Sequence, residues 1–112
     1  MADINENDFN RMTTAGDVDG LILAAKNPDG EIRAHAATAL SMTADPRALE
    51  PLIQLLRDPD AKVMGCAIAG LVLLGKSAEK RLTRALKDRD EDIRMGAWMA
   101  LQEIKKRKQS AC

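Results

Sequence analysis

Few side chains in this sequence could carry out acid–base, nucleophilic or metal chemistry. The 112 residues include one histidine, His35, and two cysteines, Cys66 and Cys112. A metal site needs several closely spaced ligands, and a catalytic histidine needs a nucleophile or an acid as its partner. His35 has no such neighbour in the sequence, so we assign no catalytic residue and expect neither a metal nor a cofactor. Because the two cysteines are far apart, we expect both to be free thiols.

Aspartates recur in pairs, as Asp58 with Asp60 and as Asp88 with Asp90. Paired carboxylates can act as general acid and base, but here a structural role is sufficient. The second Asp of each pair, like Asp29, directly precedes an apolar stretch with helical spacing. A carboxylate at that position can accept from the free N–H groups of a helix's first turn. We therefore predict that Asp29, Asp60 and Asp90 are helix N-caps and that the protein is not an enzyme.

Positive charge is concentrated in one run, Lys105 to Lys108, although the formal net charge of the chain is zero. A neutral chain produces no general field that attracts nucleic acids or acidic membranes. The run contains no aromatic residue, and positive charge also suits the C-terminus of a helix, so nucleic-acid binding is disfavoured. The N-terminal residues do not have the pattern of a signal peptide, and no apolar run approaches the roughly 18 residues of a membrane span. We predict a cytoplasmic protein without a membrane segment.

One block of sequence occurs three times, beginning at Leu21, Leu52 and Leu82. The copies are offset by 31 and 30 residues, and their alignment superimposes five apolar columns. Self-similarity at such a period is typical of repeat proteins, in which each unit packs on its neighbours. The columns are Leu21, Leu52 and Leu82; Ala25, Leu56 and Leu86; Ile32, Val63 and Ile93; Ala36, Ala67 and Ala97; and Leu40, Leu71 and Leu101. We expect the last column to be buried throughout.

Each copy has helical apolar spacing and is divided by a polar turn, which predicts a pair of helices. The predicted first helices are 17–26, 46–57 and 77–87, and the predicted second helices are 31–43, 61–74 and 91–106. Gly75 is a predicted helix terminator, since glycine is favoured just beyond a helix end. Phe9 lies 31 residues before Leu40, so the register extends into an N-terminal end helix. The single domain 1–112 then comprises the end helix 5–14, repeats at 16–44, 45–75 and 76–107, and a frayed tail at 108–112.

The repeated block resembles the HEAT-like repeats of the phycobilisome-lyase type. Two segments carry the resemblance best, Pro51 to Val63 with its Asp-Pro-Asp turn and Asp88 to Leu101. In that family, the turn Asp and an Arg six residues later form a ladder of hydrogen bonds between repeats. The matching pairs here are Asn27 with Arg33, Asp58 with Met64, and Asp88 with Arg94. Asn27 and Met64 depart from the family pattern, so we expect a partial ladder.

The second helices carry few polar residues on the side opposite the core columns. At 100° per residue that side holds small and apolar residues, whereas a solvent-facing helix side normally carries Lys, Glu or Arg. The resemblance implies that second helices line the concave face of the solenoid, where partners dock. Methionine adapts to varied contact surfaces, and tryptophan is frequent at binding hot spots. The predicted partner-binding strip is Ala34, Thr38, Gly65, Ala69, Val72, Met95 and Met99, with Trp98 alongside. Internal packing of these residues is the alternative interpretation.

The sequence thus predicts an all-α fold: a right-handed superhelix, or solenoid, of three HEAT-like helix pairs with a short N-terminal end helix. The predicted function is that of a non-catalytic scaffold that presents its concave face to a protein partner. The family resemblance implies an alternative, a lyase or lyase-like subunit that binds a bilin or a related tetrapyrrole. A homodimer formed through exposed apolar ends of the solenoid is a third alternative.

Overall fold

Seven α-helices make up most of residues 4–110, the part of the chain that the computed structural model describes. They are α1 (Glu6–Ala15), α2 (Val18–Ala24), α3 (Gly30–Thr43), α4 (Leu49–Gln54), α5 (Ala61–Leu74), α6 (Lys76–Ala85) and α7 (Glu91–Ser110). Two 3-10 turns, Pro46–Ala48 and Leu55–Arg57, extend α4 at its ends. Since no residue between 4 and 110 lies in a strand, the predicted all-α fold class is confirmed.

The helices form three consecutive pairs, preceded by α1. The pairs are α2 with α3, α4 with α5, and α6 with α7, and the members of each pair pack against each other. The second helices lie side by side, because α3 packs against α5 and α5 against α7. The described residues extend 43 × 31 × 20 Å. This stacking of helix pairs is the predicted solenoid.

Polar side chains in the turns start each second helix, as predicted. The carboxylates of Asp29, Asp60 and Asp90 accept from the backbone N–H two residues later, at 2.9, 2.9 and 2.8 Å. The side chain two residues before each cap accepts in turn from the cap's own N–H. Local hydrogen bonds therefore hold each turn and fix the direction in which the following helix starts.

The junctions between successive pairs use the left-handed region of the backbone. Gly75 has φ 53°, and its N–H donates to the carbonyl of Leu71, so the predicted helix terminator is confirmed. Ala44, the equivalent residue of the preceding pair, has φ 54°. Glycine adopts this region without strain, whereas alanine does so at a cost. The ψ angles differ, 20° at Ala44 and −120° at Gly75, so the two junctions turn differently.

The five apolar columns form the core between the helix pairs. Leu40 and Leu71 are fully buried, and so are Leu21, Leu52 and Leu82. Leu101 is only half-buried, so the expectation of a fully buried last column is wrong for its third member. The reason is its position, because in the described chain no fourth pair covers the third one. The two earlier leucines of this column each have a following pair.

α1 covers the other end of the solenoid. It packs against α2 and α3, and its Phe9 is only 7% exposed. The Phe9 and His35 rings lie 5.6 Å apart. A capping box between Asn5 and Asp8 starts the helix, since each side chain accepts from the other residue's N–H at 3.0 Å. The N-terminal repeat therefore does not expose its apolar flank.

α7 continues beyond the predicted end at residue 106 and runs to Ser110. The tail predicted to begin at Lys108 thus starts inside α7, and residues 111 and 112 lie outside the described range; that the tail is frayed stays a prediction. Lys108 forms an ion pair with Glu79 of α6, which holds the extension beside its own repeat. Within the described part of the chain, neither α7 nor any other helix is long and apolar enough to cross a membrane.

Candidate protein-binding surface

The predicted partner-binding strip is only partly exposed. Ala34 and Val72 are buried, at 3% and 7% exposure. The side chain of Ala34 is only a methyl group, and its helix, α3, packs between α1 and α5. Val72 is equivalent to Ser41, and Ser41 packs against the Gly70 side of α5, so this column faces the next helix pair. Neither residue can contact a partner directly.

The remaining strip residues reach solvent and lie on three adjacent helices. Thr38, Gly65 and Ala69 are exposed, and a side chain added at Gly65 would meet open space. Met95 and Met99 of α7 are 55% and 46% exposed. The structure therefore brings together small residues on α3 and α5 and two large flexible ones on α7.

Two further apolar residues, absent from the predicted strip, belong with them. Met42 is 65% exposed and Leu73 is 61% exposed. They lie one helical turn beyond Thr38 and Ala69, so the spacing of four residues was the signal that could have found them. We call the set Thr38, Met42, Gly65, Ala69, Leu73, Met95 and Met99 the second-helix surface.

An ion pair borders this surface at the start of α3 and α5. The Lys62 Nζ lies 2.8 and 2.9 Å from the two carboxylate oxygens of Glu31. The hydrogen bond to Glu31 raises the pKa of Lys62. Both side chains are mostly exposed, so the pair adds little stability. It joins adjacent repeats and gives the apolar surface a charged edge.

Trp98 lies on a different side of α7. Its equivalents are Ala37, which is fully buried, and Ile68, which is half-buried. The backbone carbonyl of Ala37 faces the Gly70 position of α5, so this column points toward the following helix pair. Trp98 is 57% exposed because α7 has no following pair in the described chain. It is therefore part of the solenoid's end and not of the second-helix surface.

One rung of the predicted ladder is present, and it connects the first two repeats. Arg33 Nε and Nη2 donate to the carboxylate of Asp58 at 2.8 and 3.0 Å, while its Nη1 donates to the carbonyls of Asn27 and Pro28 at 2.9 Å each. Arg94 Nη1 donates likewise to the carbonyls of Asp88 and Arg89. Met64 offers no donor, so the rung between the second and third repeats is missing.

The Arg33–Asp58 pair is largely shielded from water, with side chains 16% and 7% exposed. Burial raises the pKa of the Asp58 carboxyl, but hydrogen bonds from Arg33 and from the Asp60 N–H outweigh it and leave the pKa below its usual value. The hydrogen bond to Asp58 raises the pKa of Arg33. Both groups are therefore charged at neutral pH, and their role is structural.

Between residues 4 and 110, no group of three or more His, Cys, Asp or Glu could hold a metal ion. Every buried side-chain N or O atom in that range has a hydrogen-bond partner, so none awaits a ligand. A groove of about 310 Å³ between α1 and α3 contains His35, whose ring packs against Phe9. Cys66 is half-buried and a free thiol, as predicted, whereas Cys112 lies outside the described range.

Comparison with known proteins supports this architecture. Residues 18–80, more than half of the chain, match the family model for HEAT repeats. A crystal structure of an engineered protein has a similar fold, with a TM-score of 0.55 and 25% sequence identity over 91% of this chain. The chain spans about half the length of that protein, 51%. No curated protein matches the chain. The repeated columns, the stacked helix pairs and the matched residues lead to one assignment: the chain belongs to the HEAT-repeat family.

Proposed function

We propose that this protein is a non-catalytic interaction module that binds a protein partner through the second-helix surface. One observation carries the proposal: four large apolar side chains, 46–65% exposed, lie on three adjacent helices. They are Met42, Leu73, Met95 and Met99. Single exposed apolar residues are ordinary, but a contiguous group is typical of an interaction site. HEAT repeats in general mediate protein–protein interactions, which agrees with this assignment.

The composition of the surface suits a helix or loop of a partner. Thr38, Gly65 and Ala69 are small, so a partner backbone can approach α3 and α5 closely. The methionines on α7 are long and unbranched, and such side chains adapt to the shape of what they contact. About half of each large side chain is still exposed, so its burial on binding contributes about 1 kcal/mol before entropic losses. The helix pairs beneath hold these residues in a fixed arrangement.

Charged substitutions at exposed positions test the proposal. Ala69→Glu and Met99→Lys should each leave the free energy of unfolding within about 1 kcal/mol of that of the natural chain, because both residues face solvent. Both should abolish binding of the partner, which is first recovered with the natural chain from native cytosol and then purified. Gln54→Lys on α4 is the matched control, an exposed position on a first helix. The proposal fails if the folded variants and the control bind the purified partner equally well.

The family subtype, the tetrapyrrole ligand, the homodimer and the cytoplasmic location remain predictions from the sequence. The phycobilisome-lyase subtype, and with it a bilin or another tetrapyrrole as ligand, follows from the resemblance alone. Titration with a bilin would support this alternative if it produced a saturable change in visible absorbance. A homodimer would appear as a doubled mass in light scattering. The cytoplasmic location likewise follows from the sequence alone.

A further inference from the structure

The last helix pair exposes residues whose equivalents are covered in the second pair. Leu56 is fully buried and lies against α7, since a side chain added at Gly96 would come within 2.8 Å of it. Its equivalent, Leu86, is only half-buried. Leu71 is fully buried and Leu101 is not, and Trp98 is 57% exposed where Ile68 is half-buried. We call Leu86, Lys87, Arg94, Trp98 and Leu101 the C-terminal end face.

Arg94 occupies the position that Arg33 has in the first repeat. Both arginines use Nη1 to bind two carbonyls of their own turn. Arg33 then uses Nε and Nη2 to bind Asp58, in the turn of the next pair. Within residues 4–110, no carboxylate binds the Nε and Nη2 of Arg94. The guanidinium is thus fixed by its turn, and the edge that binds a carboxylate is unoccupied.

Lys87, the second basic residue of this face, is also equivalent to a residue that lies near a carboxylate of the next turn. Arg57, which ends the first-helix segment of the second pair, has its Nη1 4.0 Å from the carboxylate of Asp90 in the next turn. Lys87 is the equivalent residue of the third pair and is exposed. The end face therefore presents two cations where the preceding pairs meet a turn with the pattern Asp-x-Asp.

Neither the described end of α7 nor a second copy fits this face well. The Lys108–Glu79 ion pair keeps the α7 extension beside α6, so the extension does not turn across the face. A second copy could stack head to tail only through its first repeat, and α1 covers that flank. Two end faces brought together would place Arg94 and Lys87 near like charges. An acidic turn on an apolar helix pair is the complementary shape.

From this geometry we infer that the C-terminal end face is a docking surface for a HEAT-type helix pair of a partner protein, one that carries Asp-x-Asp in its turn. The partner's first Asp would bind the unoccupied edge of Arg94, as Asp58 binds Arg33. Its second Asp would lie near Lys87, as Asp90 lies near Arg57. Its helices would cover Leu86, Trp98 and Leu101. This site is distinct from the second-helix surface and does not depend on the function proposed for it.

The proposed occupant can be supplied covalently, by a chain with a second copy of residues 44–74 placed between Ile104 and Lys105. That copy carries an Asp-Pro-Asp turn and no tryptophan, so Trp98 remains the only tryptophan. We expect the far-UV circular dichroism to show added helix and the Trp98 emission to shift to shorter wavelength. Acrylamide should quench Trp98 less than it does in the natural chain, because the inserted pair would cover the indole.

Substitutions then test the specific ion pair. Arg94→Gln should lower the denaturation midpoint of the extended chain more than that of the natural chain, and Asp58→Asn in the inserted copy alone should have a similar effect. The two together should lower it by less than the sum of the single effects. Arg89→Gln removes an exposed arginine of the adjacent turn and serves as the matched control; it should affect both chains equally.

Three results would overturn the inference. One is an inserted copy that adds helix but leaves Trp98 emission and quenching unchanged. Another is a copy that adds no helix, because the face would then fail to order a pair it should accept. The third is a natural chain that dimerises in sedimentation with a concentration-dependent shift of Trp98 emission, since a second copy would then be the occupant.

Discussion

The two ends of the solenoid are built from similar repeats but meet water differently. At the N-terminal end, α1 covers the first pair and keeps Phe9 at 7% exposure. At the C-terminal end, Trp98 is 57% exposed and Leu101 is half-buried. Both ends use large apolar residues, so residue type does not decide which of them is buried. The presence of a neighbouring element decides it, as expected where each unit contacts only the next.

Leu71 and Leu101 give the largest expected contrast, because they share one column. Leu71→Ala should lower the free energy of unfolding by about 2–5 kcal/mol, since it removes a fully buried side chain with neighbours on both sides. Leu101→Ala should cost about 1–2 kcal/mol, because a half-exposed leucine loses less transfer energy and leaves a smaller cavity. Urea denaturation followed by circular dichroism measures both. Equal losses would mean that the open end is covered in solution.

The two aromatic residues at the ends give the next contrast. Phe9→Ala should lower the free energy of unfolding by about 3 kcal/mol, because it opens a cavity between α1 and the first pair. Trp98→Ala should change it by less than about 1 kcal/mol, since more than half of the ring already faces solvent. The same denaturation experiment applies. A Trp98→Ala loss as large as that of Phe9→Ala would show that the C-terminal end is not open.

Arg33, which binds a carboxylate of the next repeat, and Arg94, which binds none, give the third contrast. Asp58→Asn should lower the free energy of unfolding by about 1–3 kcal/mol at neutral pH, because it removes the charged acceptor of a largely buried Arg33. Arg94→Gln should cost less, about 0.5–1 kcal/mol, because it removes only the hydrogen bonds to the carbonyls of its own turn and no bond to a carboxylate. Guanidinium denaturation at constant ionic strength distinguishes them, with Arg89→Gln as the exposed control. A loss for Arg94→Gln as large as that for Asp58→Asn would contradict the open end.

Lowering the pH should remove the Asp58 contribution. The folded-state pKa of Asp58 lies below its unfolded value of about 4, so its stabilisation is fully present above that value. It is lost as the pH falls through the folded-state pKa. The difference between the natural chain and Asp58→Asn should therefore shrink on acidification below about pH 4. A difference that stayed constant down to about pH 2 would show that the carboxylate charge contributes nothing.

A missing rung can be added between the second and third repeats. Met64→Arg should raise the free energy of unfolding by about 0.5–1.5 kcal/mol, because an arginine there has Asp88 as its equivalent acceptor. Met64→Gln tests whether any polar side chain at this position has the same effect. Thermal denaturation of the three chains gives the order. If the arginine variant is no more stable than the glutamine variant, the ladder does not contribute to stability at this junction.

Periodicity and turn chemistry were enough to predict the fold. The columns gave the helix pairs, and Asp29, Asp60 and Asp90 gave their starts, because both signals are local and repeat three times. α1 was found through Phe9, since the same register continues backwards. The helix over 61–74 was predicted to the residue.

Exposure could not be predicted in the same way. A period of 100° per residue identifies sides of a helix but not which neighbours lie against them. Ala34 and Val72 were therefore placed on the surface, and Trp98 was placed beside a strip from which it is separate. Leu101 was expected to be buried because its column is. The end of α7 was missed because the Lys108–Glu79 contact joins residues far apart in sequence.

The ion pairs that cross between repeats are placed differently at the two junctions. Between the first and second helix pairs, Arg33 pairs with Asp58 at the turn, and Glu31 pairs with Lys62 on the second-helix side. The next junction lacks the arginine rung; Arg57 lies 4.0 Å from the Asp90 carboxylate at the turn, and Arg81 binds both oxygens of Glu50 on the first-helix side at 2.8 and 2.9 Å. Since the described residues show no ion pair between α5 and α7 on the second-helix side, we expect this junction to bend more easily than the first. The curvature of the surface carrying Leu73, Met95 and Met99 is the property that such bending alters.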